Sequence, residues 1–341
     1  MPSINFRIIP DTRRSPSLQT TLKKIIRKSK IAVGAACVVA FALIIFMVAK
    51  SLAPSDFARG TIVRIPKNMT VSEAASLLAS KNIIKSQFMY KAYVRLVHSN
   101  NGIQAGSYLF DNPQSALRVA YRTAYGVDEL QKVKVAIPEG SSSKNIAVII
   151  KKAIPAFDDK AFLIEARKYE GYLFPETYFF NPDVNPDEVI SEMKGQFDEK
   201  VAPLMDAIAT STHSLEKIII LASILEEEAN NTEDRRMISG VLWNRTDIGM
   251  PLQVDAPFYY LFGKTSSQLT VSDLATTSPY NTYKNKGLPP GAISNPGLDA
   301  IKAALYPTPS KYLFYLADKK GVTHYAITHE EHVENKFKYL Q

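Results

Sequence analysis

Three consecutive glutamates, Glu226, Glu227 and Glu228, follow the apolar stretch Ile218-Ile219-Ile220-Leu221-Ala222-Ser223-Ile224-Leu225. That stretch carries one hydroxyl among eight residues. At helical spacing it covers every side, which marks a central core helix. On the wheel Glu226 falls between Ala222 and Ile219, and Glu228 between Leu221 and Ile224. Both carboxyls therefore leave from apolar surface, where desolvation favours the protonated acid. A glutamate that keeps its proton near neutral pH is what glycosidic-bond cleavage needs, because the leaving oxygen must receive a proton. A helix simply running out of the core into solvent accounts for the same residues equally well. The wheel alone does not decide which glutamate acts.

Other chemistries find less support. His324, His329 and His332 do not have the spacing of H-E-x-x-H, and Thr328-His329-Glu330-Glu331 fits a capping box opening the last helix. No metal or cofactor is expected. The one cysteine, Cys37, lies in an apolar run, so an intramolecular disulfide or a cysteine nucleophile in the remaining chain is excluded. No nucleotide-binding glycine motif or G-x-S-x-G is present. The net charge of +8 is a property of the N-terminal tail. Eight of the 41 basic residues (Arg7, Arg13, Arg14, Lys23, Lys24, Arg27, Lys28, Lys30) and one of the 33 acids (Asp11) fall in residues 1–30. The other 311 residues are nearly balanced, which argues against nucleic acid as a partner.

The elements that must hold the acids begin with a membrane anchor. From Ile31 to Ala49 the chain is uncharged, and nineteen helical residues rise about 28 Å, the thickness of a bilayer core. The upstream bases place the N-terminus in the cytoplasm and the chain beyond Lys50 outside. Ser51-Leu52-Ala53 resembles a signal-peptide cleavage site, but the long leading region and long apolar run favour an uncleaved anchor. Residues 51–60 read as a polar linker.

Beyond the linker, Thr61-Ile62-Val63-Arg64-Ile65-Pro66 alternates as a strand. Thr70-Val71-Ser72-Glu73 has capping-box spacing and opens a helix over Glu73–Ser80. A second helix is expected over Gln87–His98 and a returning strand over Gly106–Phe110. The order repeats. Val135-Ala136-Ile137-Pro138-Glu139-Gly140 echoes Val63–Asn68, a helix is expected over Asn145–Lys152, and Gly171–Phe174 echoes the returning strand. Two strand–helix–helix–strand units predict an α+β fold, joined near Gly126–Gln131. The first unit, residues 61–126, resembles LysM modules, which hold glycan chains, although packing alone accounts for it too.

The decisive sequence features are several motifs in order. Glu170-Gly171-Tyr172-Leu173-Phe174-Pro175-Glu176-Thr177-Tyr178 precedes Leu221–Glu226. Asn244-Arg245 and Gly249-Met250-Pro251-Leu252-Gln253-Val254-Asp255 come after it. Ser278-Pro279-Tyr280-Asn281-Thr282-Tyr283, Gly287-Leu288-Pro289-Pro290-Gly291 and Asn295-Pro296-Gly297 complete the set. With the anchor and the LysM-like unit, these resemble the endolytic murein transglycosylases of the MltG (YceG-like) family, over residues 31 to 341. The resemblance implies a membrane-anchored lyase in which Glu226 is catalytic, first as general acid and then as base. Its substrate would be the bond between N-acetylmuramic acid and N-acetylglucosamine, and its product a 1,6-anhydro muramic end. Gln253, Asp255, Tyr280, Asn281 and Tyr283 become candidate groove residues, with Glu176 and Glu228 as supporting acids. Turn formation is the rival role for the Pro/Gly/Asn-rich segments. The implied layout is a basic cytoplasmic tail (1–30), a transmembrane helix (31–50), a linker (51–60), a LysM-like subdomain (61–126) and a YceG-like catalytic domain (131–341). Peptidoglycan strands are the implied partner, and peptidoglycan synthases are candidate protein partners. The implied location is the inner membrane with the catalytic domain periplasmic. Glu227, Ala256 and Ala292 depart from the family pattern, where lysine, proline and proline are usual. A membrane-tethered glycan-binding scaffold and a water-using muramidase with Glu228 or Asp255 as second carboxylate are the competing readings.

Overall fold

A single helix, α1 (Pro16–Ser51), carries the apolar run, and its portion Lys23–Ser51 is long and apolar enough to cross a membrane. The computed structural model describes residues 16–97 and 102–340. Arg7, Asp11, Arg13 and Arg14 of the expected tail, and His98 at the end of the second expected helix, lie outside the described residues. The basic segment from Lys23 to Lys30 is part of α1 rather than a separate tail. Nothing between Ser17 and Val33 breaks a helix, and Leu, Ile, Lys and Arg favour one.

The chain divides into two compact units, Met1–Leu130 and Gln131–Gln341. Their strands form three separate antiparallel pairs among the described residues, with helices packed around them, as an α+β chain should. In the first unit β1 (Thr61–Ile65) pairs with β2 (Gly106–Phe110), Val63 facing Tyr108. Between them lie α2 (Val71–Ser80) and α3 (Gln87–Val97), and α4 (Ala116–Tyr125) comes next. The capping box closes as expected. Thr70 N–H donates to Glu73 Oε2 at 2.8 Å and Glu73 N–H to Thr70 Oγ1 at 3.2 Å. Val63, Ile65, Leu78, Tyr90, Val94, Tyr108 and Phe110 form the core. Arg122 of α4 is fully buried. It donates to the Val127 and Asp128 carbonyls and pairs with Glu129 at 3.3 Å, so its charge is matched.

The second unit repeats the order: β3 (Val133–Ala136), α5 (Ser143–Ala153), α6 (Asp159–Ala166) and β4 (Thr177–Phe180). The returning strand is β4, not Gly171–Phe174 as expected. The backbone N–H groups of Gly171 and Leu173 both donate to Asn295 Oδ1 at 2.8 Å, and that of Tyr172 to the Tyr169 carbonyl. The segment has no donors left for a ladder, and pairing with β3 starts six residues later. After β4 come α7 (Pro186–Val201), α8 (Met205–Thr210), α9 (Leu215–Glu228) and α10 (Thr232–Asp247). Then come α11 (Ala256–Phe262), α12 (Val271–Leu274), α13 (Leu298–Leu305), the pair β5 (Phe314–Ala317) and β6 (Thr323–Ala326), and α14 (His329–Tyr339). Every residue from Ile218 to Leu225 in α9 is buried, and α10 and α13 pack against it. The apolar run is the central helix of this unit, and it delivers its three terminal acids to one edge of the core.

Candidate functional site

Helix α9 stops where Ala229 turns extended, so Glu226, Glu227 and Glu228 occupy its last turn and point in three directions. The Glu226 side chain is 6% exposed. Its Oε1 accepts from Arg235 Nη2 at 2.6 Å and its Oε2 from the Gly297 N–H, at the start of α13, at 2.8 Å. Arg235 is itself held by the Ala229 carbonyl and by Asp299, 2.7 Å away. Burial raises the Glu226 pKa above the ordinary carboxylate value. The Gly297 N–H and Arg235 oppose that rise, and the charges of Glu139 and Asp299 reinforce it. The Glu139 carboxyl fills the space that a Cβ on Gly297 would need, so a larger residue there would push Glu139 aside.

Glu227 and Glu228 line a cleft of about 650 Å³. Its other walls are residues 138–141 with Asn145 and Ile149, and Asp255, Ala256, Tyr259, Lys264 and Thr265. A smaller cavity of about 210 Å³ shares Gly140, Asn145, Glu227, Ala256 and Tyr259 with it and reaches Tyr260, Phe262 and Ser294. Glu226 lines neither cavity. Glu227, the most exposed of the three, has its pKa raised by desolvation within the cleft and by the Glu226 charge. Glu228 is pushed up to about 7 by burial, although Tyr315 donates its hydroxyl to Oε2 at 2.9 Å. Asp255 beside it adds to the rise and accepts the Tyr283 hydroxyl at 2.7 Å. The last turn of α9 therefore presents two carboxyls of raised pKa, Glu227 and Glu228, at an open cleft, an arrangement suited to general acid–base chemistry.

A buried amide positions the cleft's near wall. Asn295 is wholly buried and donates through Nδ2 to the Ser141 carbonyl and to Glu170 Oε1, both at 2.9 Å. Its Oδ1 takes the two N–H groups of the 171–173 turn, and its backbone exchanges hydrogen bonds with Gly140 and Ser141. Gly140 has φ +78, and a Cβ there would meet Glu227 Oε1 at 2.7 Å, so the loop reaches the acids only as glycine.

The residues singled out in the sequence are partly brought together. Glu228 and Asp255 both line the cleft, and Tyr283 is hydrogen-bonded to Asp255. Tyr280 packs on Tyr260, 5.4 Å between ring centroids. Gln253 is exposed with φ +52, between buried Leu252 and Val254, and its N–H donates to the Thr282 carbonyl. Asn281 is buried and spends its side chain on the Leu274 and Thr276 carbonyls and the Tyr283 N–H, bracing the turn. Glu176 lies outside the cleft, 3.3 Å from Lys200. Sequence reasoning missed Arg235, Asp299, Glu139, Gly140, Lys264 and Tyr315. Glu139 and Gly140 carried a signal in the repeated strand–Pro–loop, and a buried Glu226 calls for a cation, but nothing local points to Arg235.

Comparison with known proteins agrees with this architecture. The YceG-like family pattern matches residues 63–338. An endolytic murein transglycosylase of Bacillus subtilis is 32% identical over 305 residues, covering 82% of this chain and 84% of that protein. One from Streptococcus pneumoniae is 29% identical over 315 residues, covering 80% of this chain and 57% of that longer protein. The crystal structure of a yceG-like protein from Listeria monocytogenes superposes with a TM-score of 0.55 at 32% identity, over 81% of this chain and 99% of that one. The chain belongs to the YceG-like family.

Proposed function

We propose that this protein is a membrane-anchored endolytic lytic transglycosylase of peptidoglycan, with Glu226 as its catalytic acid and base. The observation that carries the proposal is the set of three carboxyls with raised pKa on the last turn of α9, two of which line a cleft of about 650 Å³ with Glu226 directly beside them in sequence. The relatives from Bacillus and Streptococcus carry the name of this activity. Glu226 gives its proton to the glycosidic oxygen as the bond from that oxygen to the muramic C1 breaks. The carboxylate then takes the proton of the C6 hydroxyl, and O6 closes on C1. One carboxyl serves both halves and no water is consumed, so the second carboxylate of ordinary glycosidases is not required. Asp255 and Glu228, which line the cleft, would border the sugar, with Tyr283 holding Asp255; Gln253 and Tyr280 are further candidate contacts. The bases that precede the apolar run of α1 would keep the N-terminus in the cytoplasm, with the site on the side where glycan strands and their synthases lie. The βααβ unit of residues 61–126 is read as a LysM-like glycan contact on the strength of its element order.

A second reading has its own support. Glu228 lines the cleft and has a pKa near the working pH, whereas Glu226 is ion-paired and set back. On that reading Glu228 is the proton donor and Glu226 holds Arg235 and α13 in place.

Mass spectrometry of purified glycan strands incubated with the full chain in detergent separates these readings, with Glu226→Gln and Glu228→Gln beside it. Internal cuts ending in 1,6-anhydro muramic acid, reduced about 10²–10⁴-fold in Glu226→Gln, are expected. Loss confined to Glu228→Gln moves the acid to Glu228. Reducing ends mean a hydrolase, and retained but uncut strands mean a tethered binder.

A further inference from the structure

Helix α3 carries an apolar stripe that the core does not use. Met89, Tyr90 and Val94 face inward. Phe88 and Leu96, by contrast, are 71% and 77% exposed, and Ala92 lies between them on the same side. The spacing i, i+4, i+8 makes one stripe about 12 Å long. Lys91 and Arg95 neighbour it on the helix, Lys81 and Lys85 precede the helix, and residues 81–97 contain no acid. None of these four forms an ion pair among the described residues.

The place of α3 within its unit says what should cover this face. Over residues 23–51 of α1 only Lys50 and Ser51 lose exposure, and α1 touches α3. The chain then enters the unit's core through Ala53 and Phe57. The end of the membrane-spanning helix thus meets the helix that bears the apolar stripe and the unpaired bases. A free aqueous surface gives large exposed apolar side chains no partner. An apolar face rimmed by lysine and arginine is the signature of a helix lying in the headgroup region, its bases drawn to anionic lipid.

We propose that α3 is a second membrane contact: Phe88 and Leu96 enter the outer headgroup layer of the membrane that α1 crosses, and Lys81, Lys85, Lys91 and Arg95 bind anionic lipid headgroups. This rests on the reading of α1 as an uncleaved anchor. The contact would lay the first unit on the bilayer instead of leaving it on a free tether.

The test uses the full chain in vesicles of phosphatidylcholine with and without phosphatidylglycerol, with nitroxide-bearing lipids as depth-dependent quenchers. A fluorophore on the native Cys37 reports α1. The same fluorophore at Phe88→Cys or Leu96→Cys, in a Cys37→Ser background, reports α3. Deep quenching at 37, with shallow quenching at 88 and 96 that falls at least several-fold when phosphatidylglycerol is omitted, is expected. Deep quenching at 37 with none at 88 and 96 overturns the contact and leaves the anchor standing. Shallow quenching unaffected by lipid charge overturns the headgroup role of the bases. No quenching at 37 removes the anchor reading itself.

Discussion

Glu170 shows how single side chains in this unit are set by burial. It accepts from the Ser143 N–H at 2.9 Å, at the start of α5, and from Asn295 Nδ2, both on Oε1. Burial still pushes its pKa up to about 7. The folded state therefore holds this proton more tightly than the unfolded chain, whose glutamates titrate near 4.5. Between those values the native state binds more protons, so stability falls as pH rises through the window and levels off above about 7. Glu228 acts in the same direction. Glu170→Gln keeps an oxygen for both donors and carries no charge. Urea titrations at pH 5 and pH 8 should show its loss of stability across that interval smaller than the parent's by on the order of 1–3 kcal/mol. An equal loss in both would assign the slope to other groups.

Among the elements, α10 shows how closely backbone segments approach in this core. A Cβ on Gly240 would overlap the Thr308 carbonyl oxygen. The 306–310 segment is tied along α10 by the Thr308 N–H to the Arg236 carbonyl and by Arg236 Nε to the Tyr306 carbonyl, both 2.9 Å. Gly240→Ala gains helix propensity of about 1 kcal/mol but forces the two backbones apart. A net destabilisation of roughly 1–2 kcal/mol, read as a lowered Tm, is expected. The order strand–helix–helix–strand was legible twice because alternation and capping residues are local signals, as Thr70 and Glu73 show. The central helix was legible from its uninterrupted apolar run. The second returning strand was misplaced because its competitor for Gly171 and Leu173 is Asn295, more than 120 residues away. Arg235 was not legible for a related reason. Its partners Glu226 and Asp299 meet only after α9, α10 and α13 have packed.

For the whole molecule, the apolar run of α1 lies outside the first unit's core, and α1 meets that unit only at its end. The first unit's buried cluster begins at Phe57, with Ala53 packed on it, and takes nothing from the apolar run of α1. A chain lacking residues 1–50 should therefore keep the parent's urea midpoint, because the deletion exposes no buried apolar area. It should also stay in the supernatant after ultracentrifugation without detergent, where the full chain pellets. A lowered midpoint would show that α1 contributes to folding.

The position of Glu226 between two helix ends has a further consequence. A helix carries a partial negative charge at its C-terminus and a partial positive charge at its N-terminus. Glu226 sits on the last turn of α9 and accepts from the N–H of Gly297, the cap residue at the start of α13, so the two dipoles act on one carboxyl with opposite sign. The α9 end favours the proton and the α13 end favours its release. Because both fields fade within one turn, the proton affinity of Glu226 depends on how closely α13 meets α9. The packing between these helices is thereby a tuning element for acidity, and side chains in that seam that never touch the carboxyl still set how readily it exchanges its proton.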